Sequence, residues 1–269
     1  MTPPLVIAID GPVGAGKSTV TRAVAARLGV ARLESGAMYR AVALAALRKG
    51  LDLHQGGALA ELARGMSLEV NARVLLDGED VTDALRTDEV SQASSVVARH
   101  PEVRAELVRR QRAWIERHQG GVVEGRDIGT VVAPDATLKV FLTASLEERA
   151  RRVSGAASSR AGATGETPDL SRVAEALVQR DRSDASRPIS PLVPADDAVV
   201  LDTTGRSVEA VVDEVVSLLA ERQREASPGV EPAAGAVSDR GAPERPARAL
   251  PGPMPPTPFV RAVYAVARL

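Results

Sequence analysis

A glycine-rich segment near the start of the chain has the residue types needed to hold a row of phosphates. Residues 11–18 read GPVGAGKS and match the pattern G-x-x-x-x-G-K-[ST]. Glycines let backbone N–H groups turn toward one anion, and a helix that begins at Lys17 would direct its positive end at the same anion. Lys17 can then reach the β- and γ-phosphates, and the Ser18 hydroxyl can bind Mg²⁺. The segment predicts a site for a nucleoside triphosphate.

This motif does not identify the reaction by itself. The alternative is a structural glycine-rich turn. However, the motif follows an apolar run at 5–9 and precedes a helical pattern, which is the context that phosphate binding requires. GTPases, motor ATPases and small-molecule kinases all share the motif, so the rest of the chain must discriminate among them.

A second cluster could bind another phosphate. Residues 34–40 read ESGAMYR, in which Ser35 and Arg40 can both contact an anion. The guanidinium of Arg40 offers two parallel donors, the geometry that suits a phosphate. The alternative is an ordinary helix start with Ser35 as its N-cap.

A third cluster, GRDIGT at 125–130, follows the short apolar pair 122–123. Loops at the carboxyl ends of parallel strands carry the ligand sites of α/β sheets. Arg126 could therefore hold a phosphate, and Asp127 the edge of a base. The alternative is a salt bridge on the protein surface.

The second half of the chain has arginines on both sides of a segment of small residues. Residues 154–168 are small and polar, which predicts a flexible stretch, and RDRSDASR follows at 180–187. Phosphoryl transfer needs positive charge on the migrating group, and a closing lid could supply it. Other arginines are expected on solvated helix faces, namely Arg151, Arg172 and Arg182.

The elements that must position these clusters alternate between strands and helices, which predicts an α/β fold with a parallel sheet. The predicted strands are 5–9, 30–33, 122–123, 138–142 and 199–201, with a two-stranded hairpin at 66–81. The predicted helices are 18–28, 36–49, 87–98, 101–118, 170–179 and 207–219, and Ser145 with Glu148 could form a capping box before a further helix. Residues 225–269 are rich in Pro and Ala and predict a disordered linker with a short C-terminal stub.

Composition excludes several classes of function. The chain has no cysteine, so disulfides, thiol catalysis and cysteine zinc sites are excluded. The formal net charge is −1 and aromatic residues make up 2%, which argues against a nucleic-acid binder. No apolar stretch reaches the length of a membrane span. We expect a cytoplasmic protein, and a monomer.

Taken together, the motifs resemble those of bacterial cytidylate kinases, which are nucleoside monophosphate kinases. The resemblance covers about residues 5–222 and rests on DGPVGAGKS, ESGAMYRA, DGEDVTDALRTDEVSQASS, VRAELVRRQRAW, EGRDIGTVV and RDRSDASRPISPLVPADDAVVLDTT. It implies a P-loop kinase domain over 1–224, with an inserted region that binds the monophosphate at about 35–118 and a short lid at about 152–187.

The resemblance also implies a role for individual residues. ATP phosphates and Mg²⁺ would be bound by Gly11, Pro12, Val13, Gly14, Ala15, Gly16, Lys17, Ser18 and Thr19, with Ser18 on the metal. The acceptor phosphate would be bound by Ser35, Arg40 and Arg126, the cytosine by Ser95, Arg104 and Asp127, and the ribose by Tyr39, Arg180 and Asp184. Charge on the migrating group would be neutralised by Lys17, Arg126 and the lid residues Arg152 and Arg187.

The implied reaction is transfer of the γ-phosphoryl group of ATP to CMP or dCMP. Asp127 would select the base, because a carboxylate accepts a hydrogen bond from the cytosine N4 amino group, where uracil presents a carbonyl. The alternatives are a P-loop kinase for another acceptor such as UMP, AMP or shikimate, a nucleotide-dependent switch or binding module, and a scaffold protein.

Overall fold

The structure of the chain, a computed structural model, describes residues 4–161 and 169–226. The predicted linker and stub therefore lie almost entirely outside the described residues, as does the middle of the predicted lid.

The centre of the fold is a parallel sheet, as the alternation of strands and helices predicted. In spatial order its strands are Arg32–Glu34 (β2), Gly120–Gly125 (β6), Leu5–Asp10 (β1), Leu138–Thr143 (β7) and Val199–Asp202 (β8). β6 and β7 are buried along their whole length, because helices cover both faces. All carboxyl ends lie at one edge, which brings the loops that follow β1 and β6 together.

Helices pack on both faces of this sheet. They are Lys17–Leu28 (α1), Ser35–Arg48 (α2), Gly56–Gly65 (α3), Asp88–Val97 (α4), Pro101–Arg117 (α5), Leu146–Ala161 (α6), Leu170–Ala185 (α7) and Val208–Ala226 (α8), with short helical turns at Ala84–Arg86 and Ile128–Val132. α1 and α8 bury Val20, Val24 and Val215 against Ile7 and Ile9 of β1. α2, α4 and α5 form a second core over the other face.

The region at 66–81 differs from the predicted hairpin. It is a three-stranded antiparallel sheet of Leu68–Val70 (β3), Val74–Leu76 (β4) and Glu79–Asp80 (β5). The third strand is only two residues long, too short for an alternating pattern to be visible in the sequence. α3 was also not predicted; its burial of Leu59, Ala60 and Ala63 outweighs the poor helix propensity of the glycines at its start.

Several helix ends also differ from their predictions. α6 continues through 154–161, where small polar residues predicted flexibility, and α7 extends to Ala185 rather than 179. Only half of the predicted capping box forms: Ser145 Oγ accepts from Glu148 N at 3.2 Å, whereas Ser145 N donates to Thr204. In the described part of the chain, no helix combines the length and the apolarity that a membrane crossing requires.

Candidate active site

The glycine-rich loop lies between β1 and α1 and has the backbone geometry that its glycines permit. Gly11, Gly14 and Gly16 have φ values of 144°, 80° and 89°. A Cβ on Gly11 would lie 2.1 Å from Leu142 O, and one on Gly14 would lie 2.9 Å from Arg149 Cβ. Both the backbone conformation and the close packing therefore require glycine at these two positions.

Lys17 and Ser18 point their polar groups at protein partners. Lys17 Nζ donates to Pro12 O of the same loop at 2.8 Å. Burial and the neighbouring Arg126 guanidinium lower the pKa of Lys17. Ser18 Oγ donates to Glu124 Oε1 at 2.7 Å. Glu124, Asp10 and Asp184 oppose the lowering of the Lys17 pKa only in part, and a triphosphate would add the negative charge that favours the charged form of Lys17.

Two buried carboxylates at the ends of central strands were missed by the sequence reasoning. Glu124 is the second-last residue of β6 and lies next to Ser18. Its pKa is raised chiefly by burial, and its Oε2 atom has no hydrogen-bond partner in the described part of the chain. Asp10 ends β1 and accepts from Ile128 N at 2.9 Å and Gly129 N at 2.8 Å. Their position at strand ends was the available signal.

Asp10 holds the turn that follows Asp127. Burial raises the pKa of Asp10 to about 7, although the two backbone N–H groups favour its charged form. The loop that carries Arg126 and Asp127 is therefore fastened to β1, and hence to the start of the phosphate loop.

Asp127 is paired with Arg104 of α5. The side chains are 6% and 4% exposed, so the ion pair is almost fully removed from solvent. Arg104 also donates to Ala98 O at 3.2 Å and lies over the ring of Tyr39, 5.3 Å from its centroid. These contacts fix the direction of the Asp127 carboxylate.

Tyr39 lies beneath this ion pair. Burial raises the pKa of Tyr39 to about 12, and its hydroxyl is buried with no partner among the described residues. The ring supports Arg104 through a cation–π contact. Its predicted contact with a ribose stays a prediction.

A second ionic cluster surrounds Asp184 of α7. Asp184 pairs with Arg126, through Nε at 3.0 Å, and with Arg187. Burial would raise the pKa of Asp184, but the guanidiniums of Arg126, Arg187 and Arg180 outweigh burial and lower it. Arg126 also donates to Gly11 O, which joins this cluster to the phosphate loop.

Arg180 contributes positive charge to the same cluster. Burial, followed by the repulsion of Arg126, lowers the pKa of Arg180 to about 10. Its Nη1 donates to Ser91 Oγ at 3.0 Å, and its Nε is buried without a partner among the described residues. α7 thus contacts α4 of the inserted region.

The remaining predicted acceptor residues have local partners. Arg40 pairs with Glu34, and its Nε atom has no partner in the described part of the chain. Ser35 is buried beside Gly125, where a Cβ would lie 2.6 Å from Ser35 Oγ. Ser95 Oγ donates to Ser91 O at 3.3 Å. Among the described residues, it has no hydrogen bond to a member of either ionic cluster.

The predicted lid residue Arg152 lies against the phosphate loop. Its Nη1 donates to Gly14 O at 3.3 Å, and its guanidinium contacts both oxygens of Thr203. One turn earlier on α6, Arg149 donates to Val13 O at 2.6 Å. Arg149 was not among the predicted site residues. Thr19 is exposed on the first turn of α1.

The arrangement as a whole has two halves. One is a loop of backbone N–H groups with Lys17 and Ser18, and the other is a set of arginines and carboxylates between α5, α7 and the loop after β6. Arg126 touches both. Such a site can hold two phosphate-bearing molecules next to each other with excess positive charge between them.

Comparison with known proteins gives a consistent picture. Residues 7–221 match the family model described as Cytidylate kinase. The chain is 50% identical over 226 residues to the cytidylate kinase of Pelotomaculum thermopropionicum, covering 81% of this chain and 97% of that protein. It is 51% identical over 219 residues to that of Desulfitobacterium hafniense, covering 80% and 92%.

A further relative carries the matching region as part of a larger protein. The bifunctional pantoate ligase/cytidylate kinase of Synechococcus sp. is 48% identical over 225 residues, which covers 81% of this chain and 45% of that protein.

Proposed function

This chain belongs to the cytidylate kinase family. We propose that it transfers the γ-phosphoryl group of ATP to CMP or dCMP, giving ADP and CDP or dCDP, by the residue roles described below. The observation that carries the proposal is the position of two adjacent residues. Arg126 contacts the phosphate loop, and Asp127 is held in the buried pair with Arg104. One short loop therefore joins the donor half of the site to a carboxylate that can read a base.

ATP binds with its phosphates on the loop. The backbone N–H groups of residues 14–16 and the first turn of α1 face the β-phosphate, because the glycines place them there. Lys17 exchanges Pro12 O for the β- and γ-phosphate oxygens and guides the migrating group.

The residues around Ser18 fit a magnesium ion. Mg²⁺ is held in such sites by one or two protein oxygens together with substrate phosphates and water. Ser18 Oγ and Oε2 of buried Glu124, which has no partner among the described residues, are oxygens of this kind at the carboxyl edge of the sheet. When bound, the ion neutralises charge on the phosphate oxygens.

The acceptor phosphate binds by replacing the present protein partners of two arginines. Arg40 leaves Glu34 and Arg126 leaves Gly11 O, while Ser35 supplies a hydroxyl. Arginine suits this exchange, because its planar fork recognises carboxylates and phosphates with the same geometry. The phosphate is thereby placed next to the γ-phosphate of ATP.

Asp127 selects the base. Its carboxylate accepts a hydrogen bond from the N4 amino group of cytosine, and Arg104 and Ser95 complete the contact with the ring. Uracil would place an oxygen against the buried carboxylate, which costs free energy because neither group can donate. Asp184 and Arg180 lie on α7 where they can hold the sugar.

The transfer itself needs charge and position, and no nucleophile from the protein. The acceptor phosphate oxygen attacks the γ-phosphorus in line, and ADP leaves. Arg126 and Arg187 supply positive charge from the acceptor side. Arg152, packed on Gly14, supplies it from the donor side.

We propose further that the kinase works as a monomer in the cytoplasm on free nucleotides, with no nucleic-acid partner. Sedimentation of the protein in dilute buffer tests the oligomeric state. A dimer at micromolar concentration would contradict the proposed monomer.

A coupled assay of ADP release tests the proposed reaction. The purified chain is supplied with ATP, Mg²⁺ and one acceptor at a time from CMP, dCMP, UMP, AMP, GMP and shikimate. We expect kcat/KM for CMP or dCMP to exceed that for every other acceptor. Higher turnover with UMP, AMP or shikimate would identify a kinase for another acceptor, and no turnover would indicate a binding module.

A further inference from the structure

Arg149 of α6 is the largest fully buried side chain in the part of the chain that the structure describes, at 1% exposure. Arginine is almost never buried to this extent unless it is paired. Partners of its guanidinium lie on different elements: Nε donates to Val13 O at 2.6 Å, and Nη1 and Nη2 donate to the two carboxylate oxygens of Asp181 at 2.7 and 2.9 Å. One side chain thus links the phosphate loop to α7.

The loop side of this link is tightly packed. A Cβ on Gly14 would lie 2.9 Å from both Arg149 Cβ and Arg149 O, so the loop rests directly on α6. Arg152 adds a contact from the same helix to Gly14 O. The phosphate loop and α6 are therefore in close contact, through packing and through a hydrogen bond.

The other side of the link is a helix that carries acceptor residues. Asp181 follows Arg180 directly and precedes Asp184 by one turn of α7. Asp184 holds Arg126, and Arg180 reaches Ser91 of the inserted region. A displacement of Asp181 would therefore displace the groups that contact the acceptor.

Stability alone does not explain a buried pair of this kind. Removing two charges from water costs about as much as their attraction returns, and apolar pairs of similar volume are often equally stable. A bidentate pair does, however, fix distance and orientation. Asp181 is held in place by both oxygens, although burial raises the pKa of its carboxyl.

We propose that Arg149 and Asp181 form a positioning pair that couples the two substrate sites of this enzyme. Occupation of the phosphate loop acts on α7 through Val13, Arg149 and Asp181, and in this way sets the position of the sugar- and phosphate-binding groups. Binding of ATP thereby favours binding of the acceptor nucleotide, and the reverse. The inference rests on the proposed function for the identity of the acceptor.

Calorimetry tests this coupling. The Kd of CMP is measured without and with a saturating non-hydrolysable ATP analogue and Mg²⁺, and the ratio of the two values is the coupling factor. We expect a wild-type factor of at least about 5, and for Asp181→Asn a factor within about twofold of unity. The matched control is Arg151→Gln, which removes two ion pairs of an exposed arginine on the same helix, with Glu147 and Glu148, and should keep the wild-type factor.

A double variant separates positioning from folding. Arg149→Met leaves an unpaired buried carboxylate, whereas Arg149→Met with Asp181→Leu leaves no buried charge unpaired and should fold with a Tm close to that of the wild type. We expect this double variant to keep its fold and to lose the coupling factor, with a raised KM for CMP. A wild-type factor of unity, or normal coupling in Asp181→Asn or in the double variant, would overturn the proposal.

Failure of the coupling proposal can be distinguished from failure of the proposed function. Turnover of the wild type with CMP reports on the reaction. If another acceptor is phosphorylated instead, the proposed function is wrong, and the coupling factor measured with that acceptor still decides the role of the pair.

Discussion

The two halves of the site are built on different physical principles. The phosphate loop is a continuous segment whose binding groups are backbone N–H groups, shaped by glycines at fixed positions. The acceptor half is assembled from side chains of α2, α4, α5, α7 and the loop after β6, far apart in sequence. Its arginines are already paired with carboxylates, as Arg104 is with Asp127 and Arg126 with Asp184.

The difference is between a loop whose donors are already in place and arginines that must exchange partners before they bind a substrate. A backbone loop offers its donors at no cost of rearrangement, so it suits a phosphate chain common to many reactions. Arg40 and Arg126 already have protein partners, Glu34 and Gly11 O, which the proposed acceptor phosphate would have to replace, whereas the buried pair of Arg104 with Asp127 stays intact. On the proposed function, the acceptor half would select the substrate, and the donor half would support transfer to any acceptor.

Loss of Lys17 should have the largest effect. Lys17→Ala removes the cation that follows the migrating phosphoryl group, and we expect kcat to fall at least about 10³-fold with every acceptor. The ADP-release assay measures this, with exposed Lys49→Ala as the control. A loss confined to CMP would show that Lys17 belongs to the acceptor half.

Loss of Asp127 should instead change selectivity. In Asp127→Ala the carboxylate that faces cytosine N4 is gone, and we expect the ratio of kcat/KM for CMP to that for UMP to fall about 10²-fold. Removal of the carboxylate also leaves Arg104 buried without its charged partner, so Tm should fall. An unchanged CMP preference would contradict base reading by Asp127.

The rigidity of the donor half can be tested at Gly14. Gly14→Ala adds a Cβ that meets Arg149 and also strains a positive φ, whereas Gly50→Ala strains a similar φ with open space around it. We expect both to cost about 1 kcal/mol of stability through the backbone, and only Gly14→Ala to lower kcat/KM for ATP, by about tenfold. Equal kinetics in the two variants would argue against a rigid loop.

Replacement of Asp10 should have a smaller effect, a change in thermal stability that depends on pH. Its pKa is raised from 3.8 to about 7 in the folded chain, so its contribution to stability is fully present below about pH 3.8 and is lost as the pH rises through about 7. Asp10→Asn removes this dependence. The Tm of the variant minus that of the wild type should therefore increase from pH 5 to pH 8.

Thermal unfolding at several pH values measures this difference, with exposed Asp135→Asn as the control. A difference that is constant with pH would show that Asp10 does not titrate in this range.

Removal of residues 227–269 should have the smallest effect. The family match ends at residue 221 and the described fold ends with α8 at Ala226. We expect kcat and both KM values to stay within about twofold of those of the full chain, since this segment adds no residue to the proposed site. A larger change would place part of the function in the C-terminal segment.

The fold was predictable to the extent that its elements are long and periodic. The central strands, α1, α2, α4 and α5 follow from apolar runs and helical stripes. α3 and the extension of α6 through 154–161 did not, because glycine and serine have low helix propensity; α3 is stabilised by the burial of Leu59, Ala60 and Ala63.

The two halves of the candidate site differ in how much of each could be predicted from the sequence. The phosphate loop is a local pattern and can be read directly. Ser35, Arg40, Arg126 and Asp127 were named from local motifs. The roles of Tyr39, Ser95, Arg104, Arg180 and Asp184 came only through the family resemblance, and the supporting groups Asp10, Glu124, Arg149 and Asp181 were not assigned. Each of these four acts through a partner more than 30 positions away, as Arg149 does with Val13, and no local pattern encodes such a pairing.

The contact of Thr203 with the phosphate loop has a consequence for the synthesis of the chain. Thr203 Oγ1 lies 3.1 Å from Ala15 O, which is 188 positions earlier, and Arg149 reaches back 136 positions to Val13. A nascent chain emerges from the ribosome with its N-terminal residues first, so this loop waits for most of the domain to be translated before its supports arrive. Such long sequence separations slow folding. The segment that is easiest to recognise is therefore among the last to acquire its working shape.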